Sequence, residues 1–239
     1  MNPGKRIGAF FDLDGTLVAP PSLEWQFFGY LLGRDAIGGR ELGRWLIQSA
    51  KFLFRDLRAA TTANKMHLAG LSEQLAADWA DSVAPDSVRL FPAGIKRMAW
   101  HVAQGHRVFL VSGTLRPLAE VLARRLPGPI EICATALEAR DGCWTGLLSG
   151  EWMSGETKAG ATRGLAARFG LALQNSYAYG NSITDLAMLH AVGHGVAVNP
   201  SSRLRRIARS VSWQSCNWDE PVVASAYPLA QRLATRAAR

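Results

Sequence analysis

The sequence predicts an α/β fold: a parallel sheet with helices on both faces and a helical segment inserted after the first strand. Three observations carry that expectation. Short apolar runs at residues 6–11, 107–111, 130–134, 176–179 and 195–198 have strand length and lack the polar alternation of a sheet that is wet on one side. Helical patterns alternate with them at 115–126, 157–169 and 183–191, the order that winds a parallel sheet. Between residue 19 and about residue 90 the strand runs stop, and apolar residues recur at helical spacing: Trp25, Phe28, Leu31 and Leu32, then Trp45, Leu46, Phe52 and Leu53, then Leu68, Leu71, Leu75 and Trp79.

The first strand, Ile7-Gly8-Ala9-Phe10-Phe11, runs into Asp12-Leu13-Asp14-Gly15-Thr16-Leu17. Carboxylates one residue apart at a strand end point the same way. Two like charges at a buried edge need a cation, and a divalent oxygen-liking ion such as Mg²⁺ suits them. The second strand ends Val111-Ser112-Gly113-Thr114, where a hydroxyl and adjacent backbone N–H groups can hold phosphate oxygens or cap a helix. Asp141-Gly142 is a two-residue turn signal, so residues 137–147 read as an antiparallel ribbon attached to the sheet. Lys158 begins a helix, where the dipole disfavours a cation; a nearby anion accounts for it, and an exposed lysine is the alternative. Asn181 and Asp185 are four residues apart at a helix start, so they share a face and can meet a metal together, with a helix cap as the other reading of Asn181. Asp12, Ser112 and Asn181 all fall at carboxyl ends of strands, where parallel sheets bind their ligands.

With 48% of 239 residues apolar, the chain can bury a sizeable core, as one large domain or as a core with a small accessory domain. Three cysteines without CxxC spacing fit a reducing compartment, and no secretory signal or membrane-length apolar stretch is visible, so a cytoplasmic protein is expected. The net charge of +8 suits an anionic partner, yet much of it sits in Arg203, Arg205, Arg206, Arg209 and the tail Arg232, Arg236 and Arg239, which read as a solvated helix face and tail. No nucleic-acid motif supports that class of partner. The five histidines form no HExxH and read as surface or structural residues, and neither GxSxG nor GxxxxGK[ST] occurs.

The DxDGT segment, Ser112-Gly113-Thr114, Lys158 and the stretch from Ser176 to Asp185 resemble, in order and character, the four motifs of the haloacid-dehalogenase-like hydrolase superfamily. The likeness spans residues 6 to 219, and its last two segments look most like the phosphoserine-phosphatase-like branch, subfamily IB. The resemblance implies a Rossmann-like core over residues 1–18 and 91–239 with a C1-type helical cap over 19–90. It implies a Mg²⁺-dependent phosphatase acting on a small phosphomonoester through an aspartyl-phosphate. Asp12 is then the nucleophile and Asp14 the acid and base, with its backbone carbonyl at the metal. Lys158 bridges nucleophile and phosphate, Ser112 and Gly113 hold the phosphate, and Asp12, Asp14, Asn181 and Asp185 form the metal site.

Two positions depart from the family pattern. Asn181 stands where aspartate is commoner, which leaves fewer carboxylates for the ion and keeps open a weakened, phosphate-binding or regulatory protein. Pro21 stands where phosphoserine phosphatases carry a substrate-reading glutamate, with Glu24 a turn further on as the candidate replacement. The aromatics and arginines of residues 25–58 suggest a lipid phosphate as the alternative substrate and peripheral contact with an anionic membrane surface.

Overall fold

The computed structural model describes residues 6–39, 43, 47 and 65–227. Trp45, Leu46, Phe52, Leu53, Phe54, Arg55 and Arg58 of the expected cap, and the tail arginines Arg232, Arg236 and Arg239, lie outside the described residues.

The strands follow in chain order as β1 (Gly8–Phe11), β2 (Arg89–Leu90), β3 (Arg107–Leu115), β4 (Ile130–Thr135), β5 (Leu137–Arg140), β6 (Cys143–Leu148), β7 (Tyr177–Gly180), β8 (His194–Val198), β9 (Gln214–Cys216) and β10 (Val222–Val223). Six of them form a sheet in the order β4-β3-β1-β7-β8-β9, and every pairing is parallel. β1 lies between β3 and β7, its Phe10 level with Phe109 on one side and Ala178 on the other. Its four residues are all buried because aromatic stacks cover both faces. Phe10 stacks on Phe109 at 4.8 Å between centroids, and Phe11 stacks on Tyr179 at 4.4 Å. The chain runs from β1 first to β3 on one side and later to β7 on the other, so the topological crevice opens at the carboxyl ends of these three strands.

After β1 the chain turns into helix α1 (Leu23–Gly33), capped by Ser22, whose Oγ accepts from Trp25 N at 3.4 Å. Leu23, Phe27 and Leu31 recur at helical spacing on its buried face. The chain enters and leaves this excursion at adjoining points, since Val18 bridges Leu90 and Ala19 N donates to Arg89 O. β2 also pairs antiparallel with β10, a small second sheet for which the sequence offers no signal beyond four residues.

Three expectations change. The ribbon β5–β6 is not attached to the main sheet: its β6 packs on the 3₁₀ turn Met66–Leu68, Gly70 N donates to Trp144 O, and Ser72 bridges Cys143. Pairing with a segment far back in the chain carries no local signal. β3 does not stop at Ser112 but continues to Leu115, with a register shift after Ser112 that releases Gly113 and Thr114 from regular pairing. The segment 183–191 is a 3₁₀ turn, Ile183–Asp185, followed by a five-residue helix, Leu186–His190, because Ser182 and Asp185 form a capping box around the turn.

Candidate active site

The site forms where β1, β3 and β7 end. Asp12, 5% exposed, is tied across the sheet by its backbone N–H to Tyr179 O at 2.9 Å. Its Oδ1 accepts from Lys158 Nζ at 2.6 Å and from Ser112 Oγ at 3.3 Å, and its Oδ2 accepts from Thr16 Oγ1 at 3.2 Å. Lys158 enters from the first turn of the helix Glu156–Phe169 and is itself buried. Its Nζ also donates to Asp185 Oδ1 at 2.6 Å. The other oxygen of Asp185 accepts from the backbone of Asn181 at 3.1 Å and of Ser182 at 2.9 Å, and from Ser182 Oγ at 3.1 Å. Asp185 is thus placed behind the cavity, with both oxygens engaged, and orients Lys158 and the Asn181 turn.

Two carboxylates and one ammonium leave this buried cluster a positive charge short. Burial, and next the carboxylate of Asp185, push Asp12 up to about 7 against the pull of Lys158. From the other end, burial opposes the charge on Lys158, but Asp12 and Asp185 outweigh it and hold the ammonium above its ordinary pKa.

Asp14 is held differently. Its Oδ2 accepts from Thr114 Oγ1 at 2.6 Å and its Oδ1 from Leu23 N at 2.9 Å. Burial raises its pKa although the Thr114 and Leu23 bonds oppose the shift. Ser112 Oγ and Thr114 Oγ1 lie 3.0 Å apart, and Thr114 N donates to Ser112 Oγ at 3.3 Å, so the end of β3 presents two linked hydroxyls to the two aspartates.

Asn181 lies against the first loop. Gly15 has φ +80°, and a Cβ there would stand 1.9 Å from Asn181 Nδ2, so glycine is required both for the turn and for the amide to reach the loop. Among the described residues no three His, Cys, Asp or Glu side chains gather as a ligand set. At the loop ends stand the Asp12 and Asp14 carboxylates and the Asn181 amide. An all-oxygen donor set beside a cluster that lacks one positive charge fits Mg²⁺.

These groups line a cavity of about 340 Å³ with Ser22, Glu24, Lys65, Gly113, Trp152, Met153 and Ser154 among its walls. Glu24 and Lys65 form an ion pair in which Lys65 is 3% exposed. Burial raises the Glu24 pKa, and Lys65 opposes that shift. Sequence reasoning named Glu24 but missed Lys65 and Trp152, which belong to no motif, and passed over Thr16 and Thr114, which stand inside quoted motifs. Of the histidines, His101 is buried on the helix Pro92–Ala103, its Nε2 2.8 Å from Tyr179 OH and its Nδ1 2.8 Å from His106 Nδ1. Burial lowers it to about 3, which keeps it neutral and structural, as the sequence indicated.

A family model described as haloacid dehalogenase-like hydrolase matches residues 9–190. Phosphoserine phosphatase SerB1 of Mycobacterium tuberculosis is 35% identical over 216 residues, covering 86% of this chain and 69% of that protein. A solved protein of unknown function from Bordetella pertussis Tohama I superposes with TM-score 0.74 at 28% identity, over 90% of this chain and all of the other. A phosphoserine phosphatase solved as a phospho-aspartyl intermediate analogue shares the fold, with TM-score 0.62 at 18% identity over 90% of this chain and 95% of that one.

Proposed function

The chain belongs to the haloacid dehalogenase-like hydrolase family, in its phosphoserine-phosphatase-like branch, and from that premise we propose that it hydrolyses a small phosphomonoester through an aspartyl-phosphate on Asp12. The observation that carries this reading is the contact of one buried lysine with Asp12 beside the Ser112 hydroxyl, at the open ends of the strands. We read residues 19–90 as the cap over this core.

Asp12 attacks phosphorus as the bond to the leaving oxygen breaks, and Asp14 delivers a proton to that oxygen. The raised pKa of Asp14 keeps more of the acid form available near neutrality. Thr114 Oγ1 can donate or accept, so it serves Asp14 in both protonation states. Deprotonated Asp14 then takes a proton from water, which attacks the phosphorus and frees Asp12. Lys158 and Ser112 hold the phosphoryl oxygens against Asp12 and offset their charge. Asp12, the Asp14 carbonyl and Asn181 would hold Mg²⁺, which when bound neutralises charge on the nucleophile and the phosphoryl group.

Among the described residues, the cap's contribution to the cavity is polar: Ser22, Glu24 and Lys65. Trp25, 68% exposed, and Leu32, 45% exposed, turn outward from α1 and do not line it. A small, charged metabolite therefore suits the pocket better than a lipid phosphate. No helix of the described residues is long and apolar enough to cross a membrane.

Phosphate release from a panel of phosphorylated metabolites and lysophospholipids, each with Mg²⁺ and with chelator, tests the reading. Turnover of small charged phosphomonoesters only when Mg²⁺ is present is the expected result. Binding of vanadate without turnover of any substrate would instead favour the phosphate-binding or regulatory alternative.

A further inference from the structure

Trp152 sits on the loop between β6 and the helix Glu156–Phe169 and lines the same cavity as Asp12, Ser112 and Lys158. Its indole edge lies over the phosphate turn: a Cβ added to Gly113 would stand 3.1 Å from Trp152 Nε1. The loop is pinned around it. Met153 N donates to Thr135 Oγ1 at 3.2 Å while the same hydroxyl donates to Gly113 O at 2.8 Å, so the buried Thr135 joins the loop to the turn. Ser154 N donates to Trp152 O and Gly155 N to Thr184 O, both at 2.8 Å.

An indole N–H can only donate. Among the described residues no protein acceptor takes that of Trp152, and the backbone of its loop is anchored at Trp152 O, Met153 N and Gly155 N. A donor without a protein partner, on a cavity wall shared with Ser112 and Lys158, is matched by an anionic oxygen, to which such a bond is strong.

We propose that Trp152 is a substrate-binding residue whose indole N–H donates to a non-bridging oxygen of the phosphoryl group, and that Gly113 is small so that the indole can lie there. This rests on the phosphatase reading and adds to it a phosphoryl contact from outside the four motifs. Because the phosphoryl group is common to all substrates and to the product, the contact affects them alike.

The test compares wild-type protein with Trp152→Phe, which keeps a ring and removes the donor. The probes are orthovanadate, inorganic phosphate as a competitive inhibitor, and two substrates with unlike leaving groups, phenyl phosphate and glycerol phosphate. Expected are vanadate and phosphate constants about tenfold weaker and kcat/KM lower by a similar factor for both substrates, at unchanged Tm, as for loss of one hydrogen bond to a charged group. Unchanged vanadate and phosphate binding overturns the proposal, as does a loss confined to one substrate, which would put the indole at the leaving group. Should Trp152→Phe lower Tm, replacing Trp152 by 3-benzothienylalanine keeps the bicyclic ring and removes only the N–H; weaker vanadate binding supports the contact and unchanged binding overturns it. Wild-type protein that neither binds vanadate nor turns over either substrate overturns the phosphatase reading itself.

Discussion

The phosphoryl end of the cavity and its cap end are built by different rules. Asp12, Ser112 and Asn181 are delivered by strand ends of one sheet, and Lys158 by the first turn of a helix packed on it. Glu24 and Lys65 come from α1 and the residue before a 3₁₀ turn; they pair with each other, and Glu24 is tied to the sheet through the Leu115 backbone at the end of β3. The first arrangement has one geometry, which chemistry needs. Asp14 joins the two, with one oxygen on Thr114 of the core and the other on Leu23 N of α1. Its two oxygens are thus held one from each end.

If the ends are separable, damage to the phosphoryl end should remove turnover for every substrate. Asp12→Asn is expected to lower kcat by about 10⁴-fold or more, as loss of a nucleophile does. Asp185→Asn should come next. It turns one of the two accepting oxygens into an amide NH₂, so either Lys158 or the Asn181 turn loses its Asp185 acceptor, and urea unfolding should show a loss of about 3 kcal/mol. A variant as stable as wild type would mean that Asp185 does not organise the site.

The pH dependence sharpens the same contrast. Because burial raises Asp12 in the folded state from 3.8 to about 7, its protonated form is the one the fold favours. That stabilising contribution is complete below 3.8 and is lost as pH rises through about 7. Tm of metal-free protein should therefore fall over that window more steeply in wild type than in Asp12→Asn, and Mg²⁺ should restore it at pH 8. Parallel Tm profiles for the two proteins would contradict this.

Smaller effects are expected from Asn181 and Glu24. Asn181→Asp adds a carboxylate beside Gly15 and should lower the Mg²⁺ concentration for half-maximal activity about tenfold. Glu24→Gln should lower kcat/KM about tenfold for the preferred substrate while changing that for an aryl phosphate by less than about twofold, since only the former reaches the cap pair. An equal loss on both substrates would erase the distinction between the two ends.

The same division runs through what the sequence made legible. The parallel sheet and the meeting of Asp12, Ser112 and Asn181 could be read because strand runs are local signals and the sheet rule places their ends together, while Lys158 joined them through the motif resemblance. Asp185 was expected at the metal beside Asn181, because spacing reveals a shared face and not which neighbour takes each oxygen; here its oxygens meet Lys158, Asn181 and Ser182. Lys65 was invisible because its partner Glu24 is 41 residues away. The docking of β5–β6 on the turn Met66–Leu68, and the Trp152 loop held by Thr135, are long-range packing outcomes of the same kind.

The central claim is that Asp12 carries the phosphoryl group. Single-turnover reaction with a ³²P-labelled phosphomonoester in Mg²⁺, quenched in acid and mapped by peptide, tests it most directly. The account predicts label on the peptide containing Asp12, released by hydroxylamine and absent from Asp12→Asn. Turnover at the full rate with no labelled peptide, or label on another residue, would contradict it.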